Sequence, residues 1–282
     1  MGDTVLVLGA TGKTGRRLVP RLNARGVNVR AASRQPGGDR MFFDWDQSET
    51  HEPALAGVDA VYLVGPELVE DPTAVIGPFL DRAQRAGVTR LVALSSMGVD
   101  FPHEDPESGR RKLERQVIAS GLDWTILRPS GFFQNFSEGF LLPGILEADT
   151  VTTATGDGAA ALVDADDIAA VAAAALTEGG HTEATYAITG AEALTFAAAA
   201  AVISEITGRT ITHRSISSDA LANSLRAAGI PADYAAMLLG DQEAIRSGSG
   251  ALITDVVAQV SGQPATPFVD FATREASAWS RS

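Results

Sequence analysis

The stretch VLVLGATGKTGRRLV, close to the start of the chain, constrains the fold more than any other. An apolar strand runs straight into Gly9, Gly12 and Gly15, spaced G-x-x-G-x-x-G, and then into an amphipathic helix. Gly9 lets the chain leave the strand in a sharp turn. Gly12 removes a Cβ so that a diphosphate can approach the backbone, and Gly15 lets the helix pack closely on the sheet. The free N–H groups of the first helical turn then face the anion. A glycine triplet alone is a weak signal, but a strand before it and a helix after it strengthen the reading. The expected ligand is therefore a dinucleotide.

The end of the second strand decides which dinucleotide. A site for an unphosphorylated ribose places Asp or Glu there to accept from the 2′-hydroxyl. This chain reads VRAASRQPGG instead, and residues 4–38 hold no acid and seven bases: Lys13, Arg16, Arg17, Arg21, Arg25, Arg30 and Arg34. The whole chain carries a net charge of −13, so this is a local reversal of sign. Arg34 can fork onto a 2′-phosphate and Ser33 can donate one hydrogen bond to it, which points to NADP(H). Arg17, Arg21 and Arg25 read as the solvated face of the helix. Asp44 and Trp45 follow a weaker third strand and border the adenine, or else Asp44 is a capping residue and Trp45 a surface one.

Strands and helices alternate through the first half. Val5–Leu8, Val27–Ala32, Met41–Phe43, Ala60–Val64, Arg90–Leu94 and Trp124–Leu127 read as strands, and Thr14–Ala24, Thr73–Ala86 and Arg110–Ser120 as helices. Gly26, Gly87 and Gly121 stop those helices. This alternation predicts βαβ units and a doubly wound parallel sheet, an α/β Rossmann architecture. The pattern loosens near residue 130. GFFQNFSEGFLLPG reads as a loop with a short helix, Asp164–Leu176 and Thr195–Ile206 as helices, and Thr185–Ile188 and Thr210–Ser215 as strands. The expected division is a dinucleotide-binding domain over 1–150, with 160–180 packing back on it, and a smaller substrate-binding α/β lobe over 181–282. Their cleft is the default ligand site.

Composition excludes several classes. The acidic balance lacks the basic face that nucleic acid or an anionic membrane requires. There is no cysteine, so disulfides, thiolate metal sites and a Cys nucleophile are excluded. The Ala-rich run after Ile168 is too short to span a bilayer, and residues 1–10 carry no basic leader. The expectation is a soluble protein of the cytoplasm. His51, His103, His181 and His213 show no metal-ligand spacing, and Asp164, Asp166 and Asp167 read as a helix N-terminus rather than a metal site.

Many NADP enzymes of this architecture pair a Tyr with a Lys four residues on, the cation lowering the phenol pKa for proton transfer. Pro66, Gly190 and Leu238 follow the three tyrosines at that spacing, so the pair is missing. Ser108 and Lys112 keep the spacing, but a serine hydroxyl is too weak an acid and the segment reads as a solvated helix start. No residue is assigned as catalytic. Ser95, Ser96 and Met97 end the fifth strand beside the expected nicotinamide, with Ser95 and Ser96 expected on the cofactor and Met97 facing the substrate. Pro129, at the end of the sixth strand, is expected to line the cofactor, and after it the aromatics Phe132, Phe133 and Phe136 face a flat apolar substrate, or else plug the core between lobes.

Taken together, GATGKTG at 9–15, Ser33–Arg34, LSSMGV at 94–99, WTILRPSGFFQNFSE at 124–138 and ALVDADDIAAVAAAAL at 161–176 resemble the NmrA-like family of atypical short-chain dehydrogenase/reductases. YAITGAEALTF and ITGRTITHRSIS extend the resemblance over nearly the whole chain. The most similar subgroup is that of bacterial NAD(P)H-binding reductases akin to ergot-alkaloid iminium reductases and type 2 NADPH:quinone oxidoreductases. The resemblance implies that Gly9, Thr11, Gly12, Lys13, Thr14 and Gly15 hold the diphosphate and Arg34 the 2′-phosphate. Val64, Gly65, Pro66 and Ser95 would line the nicotinamide ribose, and Phe132 and Asn135 would face the substrate. Related sequences often carry His where this chain has Arg110, which removes that proton donor.

The expected activity is NADPH-dependent hydride transfer to a small apolar or aromatic electrophile, such as a quinone, an imine or iminium, or an activated enone. Such acceptors need little acid catalysis, so positioning carries the reaction. The alternative is a non-catalytic NADP(H)-sensing regulator, a class the family also contains. A homodimer is an open alternative to a monomer.

Overall fold

The structure, a computed structural model, describes residues 3–35, 37–102 and 104–281, so His103 lies outside the described residues. The strands are β1 (Thr4–Val7), β2 (Asn28–Ser33), β3 (Met41–Phe42), β4 (Ala60–Leu63), β5 (Arg90–Leu94), β6 (Asp123–Pro129), β7 (Thr150–Thr153), β8 (Ala159–Ala160), β9 (Ala184–Ile188), β10 (Leu194–Thr195) and β11 (Thr212–Ser215). The helices are α1 (Gly15–Ala24), α2 (His51–Leu55), α3 (Thr73–Arg85), α4 (Gly109–Ala119), α5 (Leu142–Ala148), α6 (Ala165–Thr177), α7 (Phe196–Thr207), α8 (Ser218–Ala227), α9 (Ala232–Arg246), α10 (Val256–Ser261) and α11 (Phe268–Arg274).

Seven parallel strands form the main sheet in the order β3-β2-β1-β4-β5-β6-β9. Every residue of β1 and β4 is buried, as a strand covered on both faces demands. Leu55, Phe79, Leu80, Leu113 and Val117 of α2, α3 and α4 fill one face. The other is filled by Leu18 and Leu22 of α1, the Ala-rich side of α6, and Val257 of α10. Small residues let α6 approach closely: eight of its alanines and aliphatics from Ile168 to Leu176 are buried. This is the doubly wound Rossmann architecture, and its strand order reverses between β1 and β4, where ligands bind at the carboxyl edge.

The sheet reaches further along the chain than expected. β9, assigned by sequence to the smaller lobe, pairs in register with β6, and α10 packs against α6. The reason is that β6 has a free edge and β9 presents five residues that fit it. A separate apolar cluster joins Phe133 and Phe136 to Ile145, Phe196, Ile203, Phe268, Phe271 and Trp279. It ties the loop after β6 to α5, α7 and the C-terminal segment. Short pairings β10-β8 and β11-β7 complete this second body. Among the described residues, no helix is long and apolar enough to cross a membrane.

Candidate dinucleotide and acceptor site

The glycine turn closes on itself more tightly than its sequence role suggested. A Cβ on Gly15 would lie 2.2 Å from the Gly9 carbonyl oxygen and 2.9 Å from the Ala10 Cα. Gly15 is therefore required by the returning backbone of the turn itself, not by helix-to-sheet packing. Gly9 sits at φ +63, a left-handed geometry natural to glycine. The Gly12 N–H donates to the Gly9 carbonyl at 2.8 Å. Among the described residues, the N–H groups of Thr11, Lys13 and Thr14 make no bond within the chain, and the first turn of α1 holds no acid. That is an anion cradle at a helix N-terminus, and a diphosphate fits it.

Thr14 is fixed from below. The buried Tyr62 hydroxyl donates to Thr14 Oγ1 at 3.0 Å, and burial raises its pKa far above the ordinary phenol value. Tyr62 is thus a permanent donor that supports the turn. Thr11 reaches across to Ser33, whose hydroxyl also accepts from the Gln35 N–H at 2.9 Å. Ser33 is buried at the end of β2, while Arg34 projects outward with its side chain 63% exposed and pairs with Glu67 at 2.9 Å.

Asp44 is occupied in its own turn: its carboxylate accepts from the Asp46 N–H and from Gln47 Nε2. Trp45 is not a surface residue. Its indole N–H donates to the Val64 carbonyl at 3.2 Å, and its ring packs on Phe43, His51 and Phe79. Burial lowers the His51 pKa, so this aromatic box stays uncharged. It pins the exit of β4, where Val64, Gly65 and Pro66 lead into Glu67.

At the end of β5, the Ser95 hydroxyl donates to Glu114 Oε1 at 2.5 Å. Glu114, a buried carboxylate on α4, is held by two bonds from Arg128, which also grips Asp100. With its proton committed to Glu114, Ser95 offers a ligand only lone pairs. It can accept from a ribose hydroxyl or a carboxamide, but it is no acid. Sequence reasoning missed this network, because Glu114 carries no motif and its partners come from two other elements. Ser96 accepts from the Gly98 N–H and caps the turn that follows, and Met97 is buried beneath it, so the expectation that Met97 faces substrate is corrected.

The loop after β6 is locked to the start of α6. Pro129 is buried as the last residue of β6, and Gly131 and Phe133 exchange backbone bonds with Val163. Gln134 bridges Asp164 and the Ala165 N–H. Asp164 caps α6 through the Asp166 N–H and also binds Arg274 at 2.6 Å. Phe133, expected at the substrate, is instead core: it is 1% exposed and packs on Phe268 and Phe271. Phe136 is a core plug as well. Phe132 and Asn135 are half-buried, Phe132 against the sheet core, and Lys13 Nζ donates to Asn135 Oδ1 at 3.2 Å. Burial lowers the Lys13 pKa, against the opposing charges of Glu138 and Glu67.

Arg21 and Arg25 are solvent-exposed, as expected of a solvated face, whereas Arg17 is half-buried, and all three are paired with acids. Arg17 binds Asp166 at 3.1 Å and Glu138, Arg21 binds Asp166, and Arg25 binds Glu178 at 2.5 Å. They fasten α1 to α6. Ser108 caps α4, and Lys112 binds Asp71 at 2.8 Å, so both serve the start of that helix. Among the described residues, no group of three His, Asp or Glu is arranged to hold a metal ion.

Comparison with known proteins gives a consistent outcome. A model of the NAD(P)H-binding family matches residues 9–179. The oxidoreductase YesF of Bacillus subtilis (strain 168) is 36% identical over 281 residues, 98% of this chain and 96% of that one. Festuclavine synthase II of Penicillium roqueforti is 33% identical over 98% of this chain and 99% of its own. The NADPH complex of the quinone oxidoreductase QOR2 from Escherichia coli superposes with a TM-score of 0.80 at 24% identity, covering 96% of this chain and 99% of that one.

Proposed function

This chain belongs to the NAD(P)H-binding family, and we propose that within it the protein is an NADPH-dependent reductase of an electron-poor apolar acceptor. The acceptor class is a quinone, an imine or iminium, or an activated enone. The observation that carries this reading is the commitment of the Ser95 proton to Glu114 at the end of β5. Lone pairs, not an acid, then face the reacting ring, which suits acceptors that need no strong protein acid.

The geometry supports these proposed roles. The N–H groups of Thr11, Lys13 and Thr14 hold the diphosphate, and Tyr62 keeps Thr14 in place. Arg34, released from Glu67, holds the 2′-phosphate with Ser33 beside it. Val64, Gly65, Pro66 and Ser95 line the ribose and the ring. When bound, the reduced nicotinamide supplies the hydride. Phe132 offers an apolar wall, and Asn135, anchored by Lys13, fixes the loop that carries it. The protein contribution is face-to-face placement and exclusion of water.

Steady oxidation of NADPH by small quinones or cyclic iminium salts tests this. Tight NADPH binding with no turnover across both panels would replace the reductase by a dinucleotide-sensing protein.

A further inference from the structure

Arg110, the second residue of α4, lies against the turn that follows β5. A Cβ on Gly98 would sit 1.9 Å from its Nη1 and 2.4 Å from its Cζ, so only glycine at 98 leaves room for the guanidinium. Two bonds run from Arg110 to Glu104, each 2.5 Å, and two to Asp241 of α9, at 2.8 and 3.2 Å. The Arg110 side chain is 10% exposed and that of Glu104 9%. Burial opposes the charge of Glu104, yet the bonds from Arg110 outweigh it and hold the carboxyl below its ordinary range. A bidentate guanidinium bridging two carboxylates is geometrically demanding, and it fixes both partners.

The second of those partners belongs to a weakly seated element. No residue of α8 is buried, and of α9 only Ala235 is. The C-terminal end of α9 is fastened by Gln242 to the Ala154 N–H, by Arg246 to the Ala154 carbonyl, and by Gly158, which admits the Ile245 carbonyl. Its first half has no such support. Among the described residues, the hydrogen bonds joining residues 218–241 to the sheet body are those between Asp241 and Arg110. Tyr234 is seven residues before Asp241 and shares its helix face. Tyr234 is half-buried, and because Asp241 on the same face is bound by Arg110 beside Gly98, that face is turned toward the turn that follows β5.

We propose that Arg110 is a positioning residue for the acceptor: by gripping Asp241 it sets the first half of α9, with Tyr234 on its inner face, as a wall of the acceptor pocket. This rests on the reductase reading above. Arg110 itself touches neither cofactor nor acceptor; it acts through α9.

The test uses the full chain with NADPH, a small quinone and a cyclic iminium salt. Asp241→Asn keeps the Arg110–Glu104 pair and loosens only α9. It should raise the KM for both acceptors by about tenfold, the factor expected from losing one charge-assisted contact, while the Kd for NADPH from fluorescence titration stays within about twofold. Hydrogen exchange over 232–241 should quicken. Tyr234→Ala should raise acceptor KM without quickening that exchange, and Arg110→Lys should recover part of what Arg110→Met loses. If Arg110→Met fails to fold, Asp241→Asn and Tyr234→Ala still decide. Unchanged acceptor KM in Asp241→Asn overturns the proposal, whether or not exchange quickens, and so does a loss confined to NADPH affinity. Absence of turnover in the unaltered protein would instead sink the reductase reading, and the proposal with it.

Discussion

Replacing Arg34 by Ala isolates the 2′-phosphate assignment. Arg34 is 63% exposed and bound to Glu67, itself 71% exposed, at 2.9 Å. An ion pair that open to water contributes at most ~1 kcal/mol. A guanidinium on a phosphate in good geometry contributes about 1.5–3 kcal/mol, being charge-assisted. Solvent screening and the surrender of Glu67 reduce the net gain to about 1–2 kcal/mol. Arg34→Ala should therefore weaken NADPH binding by about 5- to 30-fold and leave NADH within about twofold. Glu67→Gln makes the opposite prediction. It frees Arg34 and removes a negative charge beside the phosphate, so NADPH should bind about two- to fivefold tighter, an effect that fades with added salt. Fluorescence titration of both cofactors against both variants, at low and moderate salt, reads all of this. Equal losses for NADPH and NADH in Arg34→Ala, or no response of NADPH to Glu67→Gln, would refute the assignment.

Other outcomes follow from the packing and charges. Gly15→Ala drives a Cβ to 2.2 Å from the Gly9 oxygen and should abolish measurable NADPH binding while costing about 1–3 kcal/mol of stability, as read by denaturant melts. Burial pushes the Asp167 carboxyl up to about 6, against two hydrogen bonds from Thr266. A folded pKa above the unfolded one means stability is greatest below about pH 4 for this group and is lost as pH rises through 6. Asp167→Asn should accordingly flatten the pH dependence of Tm between pH 4 and 6 and stabilise the protein near neutrality; a steeper slope would contradict it. Trp279 is fully buried and donates to the Phe136 carbonyl at 2.8 Å, so Trp279→Phe should cost about 2–4 kcal/mol and loosen the loop after β6, seen as faster exchange at 132–138.

The sheet and the phosphate turn were legible because their signals are local. A strand, three spaced glycines and a helix occupy the consecutive residues 4–24, and hydrophobic periodicity located β1, β2, β4, β5 and β6 to within a residue or two. What stayed hidden depends on partners distant in sequence. Phe132 and Phe133 are adjacent and chemically alike, yet the chain packs one, half-buried, against the sheet core and the other into the cluster around Phe268. Nothing in the local string separates them. Met97 was misplaced for the same reason: burial is decided by what packs on a residue, as for half-buried Trp45, which packs on Phe79, thirty-four positions on. The two-residue strands β8 and β10 carry too few residues to show a period.

Charge shows the same limit with more consequence for function. Seven bases without an acid over residues 4–38 read as an electropositive grip for a phosphorylated ligand. In the fold, Arg16 and Arg17 meet Glu138, Arg17 and Arg21 meet Asp166, and Arg25 meets Glu178, acids that lie more than a hundred residues downstream. Arg30 is spent on the carbonyls of Ala54 and Ala56. Of the seven, Lys13, whose partner Asn135 is neutral, and Arg34, whose pair with Glu67 is open to water, are left to meet an anion. The cofactor is then held mainly by backbone N–H groups and the dipole of α1, assisted by two side-chain charges. Affinity for NADPH should fall with ionic strength as two cations dictate. A dependence as steep as seven would require the α1–α6 pairs to open on binding, and hydrogen exchange along α1 would then speed up rather than slow when NADPH is added.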